Sequence, residues 1–576
     1  MTPPTLSNEK YRNWGRCNIF SYCATSLAIQ SRSLYNTQTR RSICCRALES
    51  RLTLANLEPE MPTRRNVLKS ALLSAGAVLA PLNGLPAFAA EETPPYNLDG
   101  FKTYAEYKRN RKWLGIAPDA VVPDPSNPSI ERDGMRCMNC GRCDAACMEQ
   151  KIAHWYKPET LKPSVKTLCM HCGQCVTACR HNVLHEKIDF VDVGIAMARS
   201  AKAEDKSEKR VFVATTAPAI RVAFGELFGL APGANLQGQI VAMLKKLGFD
   251  YVLDTTFGAD LVTVEEAREF KERLDSKTPG PMFTSCCPAW VTFVETFYPE
   301  FIPNLSTTRS PILAQGAAIK TTFAKEKGID PASVVNVAFV PCVGKKYEAT
   351  RPENVAAAKY WKRDGAFRDL DYALTTRELG SWASYFQLTP NQLEPAEYDS
   401  TLGTGSGSGK IFGYTGGVLR ALVRQFSQDV TGEAPSAAAM ELSAVDGIAG
   451  LRETTVEVGN YKIRAAVVSG LADARELLDR IKSGRASYDV VEVMACPGGC
   501  VGGGGQPKID GAERPTNEIR AQRAQGLKKI DQEETIRVAS DNPEIAAFYQ
   551  NFAGPSGDEQ REALFHTTYR RQDVWK

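Results

Sequence analysis

Thirteen of the 17 cysteines in this 576-residue chain lie after residue 136, and all of them except Cys342 lie in closely spaced groups. Eight fall between Cys137 and Cys179, and five fall in three later segments around Cys286, Cys342 and Cys496. Disulfide frameworks are typical of small secreted domains with dispersed cysteines. Cysteines spaced a few residues apart in a long chain are more typical of thiolates that bind metal. The spacing therefore predicts a reduced-thiol metalloprotein.

The distribution of charge argues against binding to nucleic acid. The chain has 70 Lys and Arg and 66 Asp and Glu, a net charge of +4. Residues 1–90 hold eleven of the basic and four of the acidic residues, so 59 basic and 62 acidic residues remain for the rest. A chain without a basic excess gives no indication of a nucleic-acid surface. The length predicts two or three domains beyond any leader.

Residues 1–90 have the composition of a targeting segment. Residues 1–62 are rich in Arg and Ser and lack Asp, which is typical of an organelle transit peptide. Arg64 and Arg65 then precede a short apolar run and a small-residue end at residues 87–90, which is typical of a twin-arginine signal. A single long transit peptide is the alternative interpretation. The run is too short for a permanent membrane span, so none is expected. The arrangement resembles the leader of a chloroplast protein, and residues 91–130 are predicted to form a linker.

Residues 131–200 contain the pattern C-x-x-C-x-x-C-x-x-x-C twice. This is the pattern of two-cluster bacterial ferredoxins, in which the fourth cysteine of each run binds the other cluster. Zinc is the alternative metal, but eight cysteines in a doubled order favour iron–sulfur clusters. His154 is then not needed as a ligand. One predicted [4Fe–4S] cluster is held by Cys137, Cys140, Cys143 and Cys179, and the other by Cys169, Cys172, Cys175 and Cys147.

From Val211 onward, short apolar runs alternate with amphipathic helical patterns, which predicts an α/β domain over residues 210–554. Cys342 and Cys496 directly follow predicted strands, where sites of open α/β sheets gather. We expect a flexible surface insertion at Gly403–Gly409 and a polar C-terminal tail at residues 555–576. Strands are predicted at 211–215, 251–254, 334–340, 463–468 and 490–494, and helices at 267–274 and 471–481.

Three cysteine segments, Thr284–Pro288, Val340–Lys346 and Met494–Pro507, together resemble the signature segments of the iron-only ([FeFe]) hydrogenases. The resemblance covers about residues 131–570. It implies a two-lobed catalytic domain with twisted, largely parallel sheets, preceded by an α+β bacterial-ferredoxin-like domain. The implied activity is reversible reduction of protons to H2 at a six-iron H-cluster, with electrons from ferredoxin. It also implies dedicated maturation proteins, and the stroma, rather than the thylakoid lumen, as the chloroplast compartment. We further expect a monomer.

The resemblance also assigns roles around the H-cluster. The cubane would be held by Cys287, Cys342, Cys496 and Cys500, and Cys500 would bridge to a two-iron subsite that carries CO, cyanide and a dithiolate. Lys345 would donate to a cyanide ligand, which suits an ammonium group. Cys286 would deliver protons. The loops that line the cofactor would include Ala217, Pro218, Gly416, Gly417 and Met494.

A predicted helix carries Glu266, Glu269 and Arg273 on one face, at spacings i, i+3 and i+7. Such a stripe is usually a solvated face. By resemblance, however, it belongs to a proton path that runs from Arg273 through Glu269, Ser306 and Glu266 to Cys286. Carboxylates within hydrogen-bond reach are suitable relay groups.

Three rival functions have different sequence requirements. A Narf-like iron–sulfur assembly protein would lack the two-iron subsite, and the intact Cys286, Lys345 and glycine run argue against it. A hydrogen sensor usually loses the proton-carrying cysteine and gains a signalling domain. A simple electron carrier would leave everything after residue 200 unexplained. Two residues depart from the family, Val340 for a common methionine and Ile312 for a common glutamine. Neither change removes a ligand or a proton carrier, and we expect the loss of the glutamine donor to affect the tuning or the stability of the cluster.

Overall fold

The computed structural model describes residues 126–133, 140–153, 168–436, 438–551 and 557–574, together with residues 124, 137 and 138. The predicted leader, most of the predicted linker and His154 lie outside these residues. Within them, no helix is both long and apolar enough to cross a membrane.

The ferredoxin-like part is built as an internal repeat. Strand β1 (Ile130–Arg132) pairs antiparallel with β2 (Leu184–Glu186). Helix α1 (Arg142–Glu149) and helix α2 (Gln174–Ala178) each begin after a glycine with a φ of +72°. The two glycines occupy equivalent places in the two cysteine runs, so the repeat in the sequence is also a repeat in the backbone. The predicted α+β architecture is confirmed, and helix α3 (Phe190–Lys202) leads into the next domain.

The first sheet of the α/β domain is entirely parallel, and its strands lie in the order 251–254, 211–216, 334–340 and 372–375. Strands β3 (Val211–Thr216), β4 (Tyr251–Asp254), β6 (Val334–Val340) and β7 (Tyr372–Thr375) are almost wholly buried. Near-continuous apolar strands are expected when helices cover both faces of a parallel sheet. The predicted bounds of β4 and β6 are confirmed.

The second sheet is mixed, with strand order β5-β11-β10-β9-β8. The first three strands are parallel and the last three antiparallel. Strand β9 was not predicted, although alternating buried and exposed residues and a Gly-Asn turn before β10 are hairpin signals. The strands are β5 (Met282–Phe283), β8 (Ser443–Ala444), β9 (Leu451–Val458), β10 (Tyr461–Ser469) and β11 (Val490–Met494).

The other α-helices of the described residues surround these sheets. Helices α7 and α8 are joined by a π-helical turn, residues 319–323. The helices are α4 (Gln237–Lys246), α5 (Thr255–Asp275), α6 (Pro288–Phe297), α7 (Pro311–Ala318), α8 (Ala324–Glu326), α9 (Gly344–Thr350), α10 (Ala356–Tyr360), α11 (Thr376–Tyr385), α12 (Gly407–Lys410), α13 (Gly417–Thr431), α14 (Leu471–Lys482), α15 (Asn517–Glu533), α16 (Pro543–Gln550) and α17 (Gly557–Phe565).

Helix α5 contains both predicted carboxylates and the arginine of the proton path. Asp254 caps its N-terminus by accepting a hydrogen bond from the backbone N–H of Thr256 at 3.0 Å. The same carboxylate forms a buried ion pair with Arg221 at 2.7 Å. The start of the helix is therefore fixed both by its cap and by a neighbouring charge.

Two predictions about flexible segments are wrong. Gly403–Gly409 is not a surface insertion, because Ser406 donates from its backbone N–H and its hydroxyl to the buried Asp260, each at 2.6 Å. The described part of the predicted tail, residues 557–574, also packs onto the domain. Leu564 and Phe565 are buried, and His566 forms a β-bridge with Thr308. The contacts of these two segments could not be predicted from their composition, which is glycine-rich in one and polar in the other.

Candidate catalytic site

The three later cysteine segments begin where strands of both sheets end. Cys342 lies two residues after β6, and Cys496 lies two residues after β11. Cys287 is the N-cap residue of α6 and follows β5 closely. Carboxyl ends of parallel strands are where open α/β sheets form sites. The expectation that Cys342 and Cys496 follow strands directly is confirmed.

The four predicted cubane ligands lie within electrostatic reach of one another. The Cys496 and Cys500 thiols both interact with Cys342 and with Cys287. Burial is the largest cause of the raised pKa of Cys342, which reaches about 11. A thiolate in these surroundings needs a compensating cation, which iron would supply.

A cluster fits this set better than a single ion does. Among the described residues, no three Cys, His, Asp or Glu side chains converge closely enough to hold one metal ion. A cubane binds each thiolate through a different iron, so its ligands stand further apart. All thirteen cysteines in the described part of the chain are thiols rather than disulfides.

Met494 and the loop of Ala217 and Pro218, which were predicted to line the cofactor, are tied to the segments that contain these thiols. Met494, at the end of β11, belongs to an apolar cluster against which Cys286, Cys287 and Cys500 pack. Ala217 and Pro218 follow β3, and the Ala217 backbone N–H donates to the carbonyl of Phe339 in β6 at 2.9 Å. The loop after β3 is therefore fixed to the strand that leads to Cys342.

Glu492 holds the Gly416–Gly417 loop in place, a role that sequence reasoning missed. Its buried carboxylate accepts hydrogen bonds from the backbone N–H groups of Gly416 at 2.6 Å and Leu419 at 2.8 Å. Gly416 has a φ of +90°, which a residue with a side chain rarely adopts. A carboxylate at a helix N-terminus is favourable, and this one anchors α13 to β11. An acidic residue inside an otherwise apolar strand was the available signal.

Lys345 lies next to the predicted proton carrier. Its ammonium group donates to the backbone carbonyl of Cys286 at 2.9 Å and to Glu348 at 2.8 Å. Glu348 also accepts a hydrogen bond from Ser310 at 3.0 Å. Burial opposes the charge of Lys345, but the Glu348 carboxylate, together with Cys342 and Cys286, outweighs burial, so the pKa of Lys345 is raised. The site therefore contains a fixed cation.

The helical stripe of carboxylates is not a solvated face. Glu266 is only 1% exposed, and Glu269 is partly buried. The Ser306 hydroxyl donates to Glu269 at 2.8 Å, and Ser306 also lies near Glu266. Burial, with the neighbouring Glu269 carboxylate, raises the pKa of Glu266 to about 8. Glu266 can therefore hold a proton at neutral pH.

The two ends of the predicted proton path are Cys286, which interacts with the buried Glu266, and Arg273, which is partly exposed to solvent. Cys286 interacts electrostatically with Glu266, at the inner end. Arg273 donates to the backbone carbonyl of Pro303 at 3.2 Å and is partly exposed, at the outer end. Both Glu266 carboxylate oxygens lack a hydrogen-bond partner within the described part of the chain. The inner steps of the relay are therefore close approaches rather than formed hydrogen bonds.

The C-terminal segment, which was predicted to be a tail, holds the relay in position. Tyr569 donates to the backbone carbonyl of Ser306 at 2.9 Å. The ring of His566 forms a hydrogen bond with the Thr307 hydroxyl at 2.8 Å, and the Thr307 backbone N–H donates to Glu269 at 3.0 Å. No motif in the sequence signals these contacts, because they depend on tertiary packing.

The ferredoxin-like cysteines form two neighbouring groups. Cys137, Cys140, Cys143 and Cys179 line one pocket. In the second group, Cys175 interacts electrostatically with Cys172, Cys169 and Cys147, and also with Cys143 of the first. This is the crossed arrangement that the two-cluster pattern requires. Burial raises the pKa of Cys172 to about 12, so its thiolate also needs a bound cation.

The second group touches the loop that contains Cys496 and Cys500. Gln174 donates to the backbone carbonyl of Gly502 at 3.2 Å. Arg377, paired with Glu186 of β2, donates to the carbonyl of Gly504 at 2.7 Å. The structure thus brings the ferredoxin-like cysteines against the candidate catalytic site.

The chain matches two families of known proteins. The family described as "Iron only hydrogenase large subunit, C-terminal domain" matches residues 210–504, more than half of the chain. The family described as "Iron hydrogenase small subunit" matches residues 517–572. The second match covers the C-terminal segment that holds the relay.

The matches to individual relatives cover most of this chain or most of the relative. Iron hydrogenase 1 of Clostridium pasteurianum is 37% identical over 485 residues, 82% of this chain and 82% of that protein. The solved structure of a variant of apo [FeFe]-hydrogenase HydA1 from Chlamydomonas reinhardtii is 35% identical, with a TM-score of 0.58. The match covers 66% of this chain and 98% of that chain. A cytosolic Fe–S cluster assembly factor of Danio rerio is 28% identical over 382 residues, 64% of this chain and 89% of that protein. The extent of these matches shows that the chain belongs to the iron-only hydrogenase family.

Proposed function

We propose that this protein reversibly reduces protons to H2 at an H-cluster, with reduced ferredoxin as its electron donor. The observation that carries the proposal is the position of Cys286. It interacts electrostatically both with the buried carboxyl of Glu266 and with Cys500 and Cys287, two of the four thiols proposed to hold the cubane. When bound, the H-cluster would supply the metal centre at which two protons and two electrons combine.

The chain's own residues would bind the cofactor and move protons. Cys287, Cys342, Cys496 and Cys500 are the proposed ligands. Lys345 would hold an anionic ligand of the two-iron unit by its fixed charge. Glu266 would store a proton beside Cys286, since burial raises its pKa to about 8 and favours the protonated carboxyl at neutral pH. Ser306, Glu269 and Arg273 would connect that store to solvent.

Electrons would pass through two [4Fe–4S] clusters in the ferredoxin-like part. Cys140 is exposed, so the pocket that it lines is accessible to a donor. Three of the four cysteines in the second group are buried, and the backbone carbonyl of Cys172 lies beside Cys496. An exposed first site and a buried second site support a route from the surface inward. All-cysteine ligation is compatible with the low potentials that this chemistry needs.

An iron–sulfur assembly protein is the second candidate, because relatives with that name match the same region. Such a protein would have no use for the proton store at Glu266. The electrostatic interaction between Glu266 and Cys286 therefore favours the hydrogenase.

The functional test is H2 production by protein matured in cells that express hydrogenase maturation proteins. Reduced ferredoxin should support H2 production, and a Cys286→Ala variant with unchanged iron content should be inactive. An inactive native protein that carries its full complement of iron would favour the assembly function. If a viologen dye supports activity and ferredoxin does not, the hydrogenase assignment would stand and the donor would be wrong.

We also propose that the protein acts in the chloroplast stroma. The proposal rests on the composition of residues 1–90. Import of the full chain into isolated chloroplasts, followed by fractionation, should recover a shortened protein in the stroma. Recovery in the thylakoid lumen would instead favour the twin-arginine interpretation.

A further inference from the structure

A short segment after the glycine run crosses the ferredoxin-like part. We call residues 508–514 the 508–514 strap. Lys508 donates to the backbone carbonyl of Cys179 at 2.8 Å and to the side-chain carbonyl of Asn182 at 2.7 Å. Glu513 pairs with Arg142 at 2.6 Å and also pairs with Arg180. The strap therefore connects the chain beyond Cys500 to both cysteine runs.

Lys508 is a buried cation without a carboxylate partner among the described residues. It is 6% exposed, and both of its acceptors are neutral oxygens. Apart from the cysteines, the charged side chains that act on it most strongly are Arg377 and Glu186. These two form a bidentate pair at 3.0 and 2.6 Å, so their charges largely cancel. Burial of an unpaired ammonium is costly unless an anion lies nearby.

The nearest candidates for that anion are the cysteine ligands. Lys508 interacts electrostatically with Cys179, of the first group, and with Cys175, of the second. Burial lowers the pKa of Lys508 to about 8, and both cysteines act in the opposite direction. An iron–sulfur cluster with four thiolates is itself an anion. A bound cluster would therefore stabilise the charge of Lys508, and Lys508 would stabilise the cluster.

We propose that Lys508 raises the reduction potential of the outer cluster, the one assigned to Cys137, Cys140, Cys143 and Cys179. This inference rests on the two-cluster content proposed above. On reduction the cluster accepts one electron from the donor and gains one negative charge, with no bond made or broken and no proton taken up by Lys508. A fixed ammonium beside a ligand favours the more negative state. The effect is smaller on the inner cluster, which Lys508 faces only through Cys175.

The test compares Lys508→Met with Lys508→Arg. The first removes the charge with little change of shape, and the second keeps a cation that can donate hydrogen bonds. The sample is the full chain with reconstituted [4Fe–4S] clusters and without the two-iron unit, so H2 activity is not the readout. A redox titration monitored by electron paramagnetic resonance, with dithionite as reductant, measures the midpoint potential of each cluster. Lys508→Met should shift the outer cluster to a more negative potential, and Lys508→Arg should stay close to the native value.

Arg180→Met is the matched control. It removes an exposed cation of the same loop, which pairs with the strap at Glu513, and should leave the potentials nearly unchanged. Asn182→Asp is a second charge variant that keeps Lys508 and places a carboxylate on its ammonium group. Asn182→Asp should also shift the midpoint potential of the outer cluster to a more negative value. The test therefore remains informative if Lys508→Met does not fold.

The outcomes separate this proposal from the assignment of the clusters. Native potentials in both Lys508→Met and Asn182→Asp, at unchanged iron and sulfide content, would overturn the role of Lys508 alone. An equal shift in Arg180→Met would show a structural effect of the strap and would overturn it too. A native ferredoxin-like part that binds no [4Fe–4S] cluster would overturn both the cofactor content and this inference.

Discussion

The backbone carbonyl oxygen of Cys172 lies 3.9 Å from the Sγ atom of Cys496, within reach of a weak thiol hydrogen bond. Cys172 belongs to the ferredoxin-like part, and Cys496 belongs to the candidate catalytic site. The approach is possible because Gly504 has no side chain. A Cβ atom there would lie 2.6 Å from the Cys172 carbonyl oxygen.

Gly504→Ala should therefore slow electron delivery to the catalytic site. The added methyl group must push the two loops apart, at a cost of about 1–3 kcal/mol. With reduced ferredoxin as donor, the H2 rate should fall several-fold while the iron content is retained. Gly194→Ala is the control, because its Cβ would meet only Trp382, at 3.9 Å. An unchanged H2 rate in Gly504→Ala would show that this contact has no role in electron transfer.

Glu266→Gln should abolish the proton store without changing its shape. Acid–base groups in enzymes contribute about 100-fold or more to the rate, and a loss of that order in H2 production is expected. The control is Glu272→Gln, an exposed carboxylate on the same helix. If Glu266→Gln retained native activity, protons would have to reach the site by another route.

The pH dependence of H2 production should report the same carboxyl. Burial, and then the charge of Glu269, raises the pKa of Glu266 to about 8. Glu266 donates protons only while it is protonated, so kcat for H2 production should fall as the pH rises through about 8. Glu269→Gln removes the neighbouring negative charge, and the alkaline limb should then move to lower pH. An alkaline limb that stays at the same pH in this variant would mean that Glu266 is not the group observed.

His566→Ala should weaken the relay from outside the site. It removes the hydrogen bond to Thr307, whose backbone N–H donates to Glu269, and a contact with the buried Glu265. Loss of a buried hydrogen bond costs about 1–3 kcal/mol, so thermal stability should fall together with the H2 rate. The control Arg571→Ala changes an exposed residue of the same segment. Full activity and stability in His566→Ala would contradict the role of the C-terminal segment.

Local patterns were sufficient for much of the fold. Strand β4 and strand β6 have the predicted bounds because their apolar runs are continuous and buried. Strand β9 was missed because its alternation is that of a half-exposed antiparallel strand rather than a buried parallel one. The segment at Ser406 was misread because a buried carboxylate, Asp260, orders residues that have no structural preference of their own.

The candidate site, like the fold, has a part that the sequence predicts and a part that it does not. Cysteine spacing predicted the two ferredoxin-like groups of thiols, because cluster ligands occur at characteristic intervals. The resemblance of three segments to a known family predicted the thiols of the candidate catalytic site. The anchoring residues could not be found in this way. Glu492, His566 and Lys508 each act through a contact with a residue at least 76 positions away. A single sequence has no local signal for such pairs.

The most direct test of the central claim is infrared spectroscopy of the protein matured with the two-iron cofactor. Bands in the CO and cyanide stretching region that shift under H2 are predicted, because the proposed site holds a two-iron unit beside Cys286. Absence of these bands in a protein that still carries three cubane clusters would contradict the account. The chain would then keep the hydrogenase fold without its reaction, and the relay from Arg273 to Glu266 would have no function.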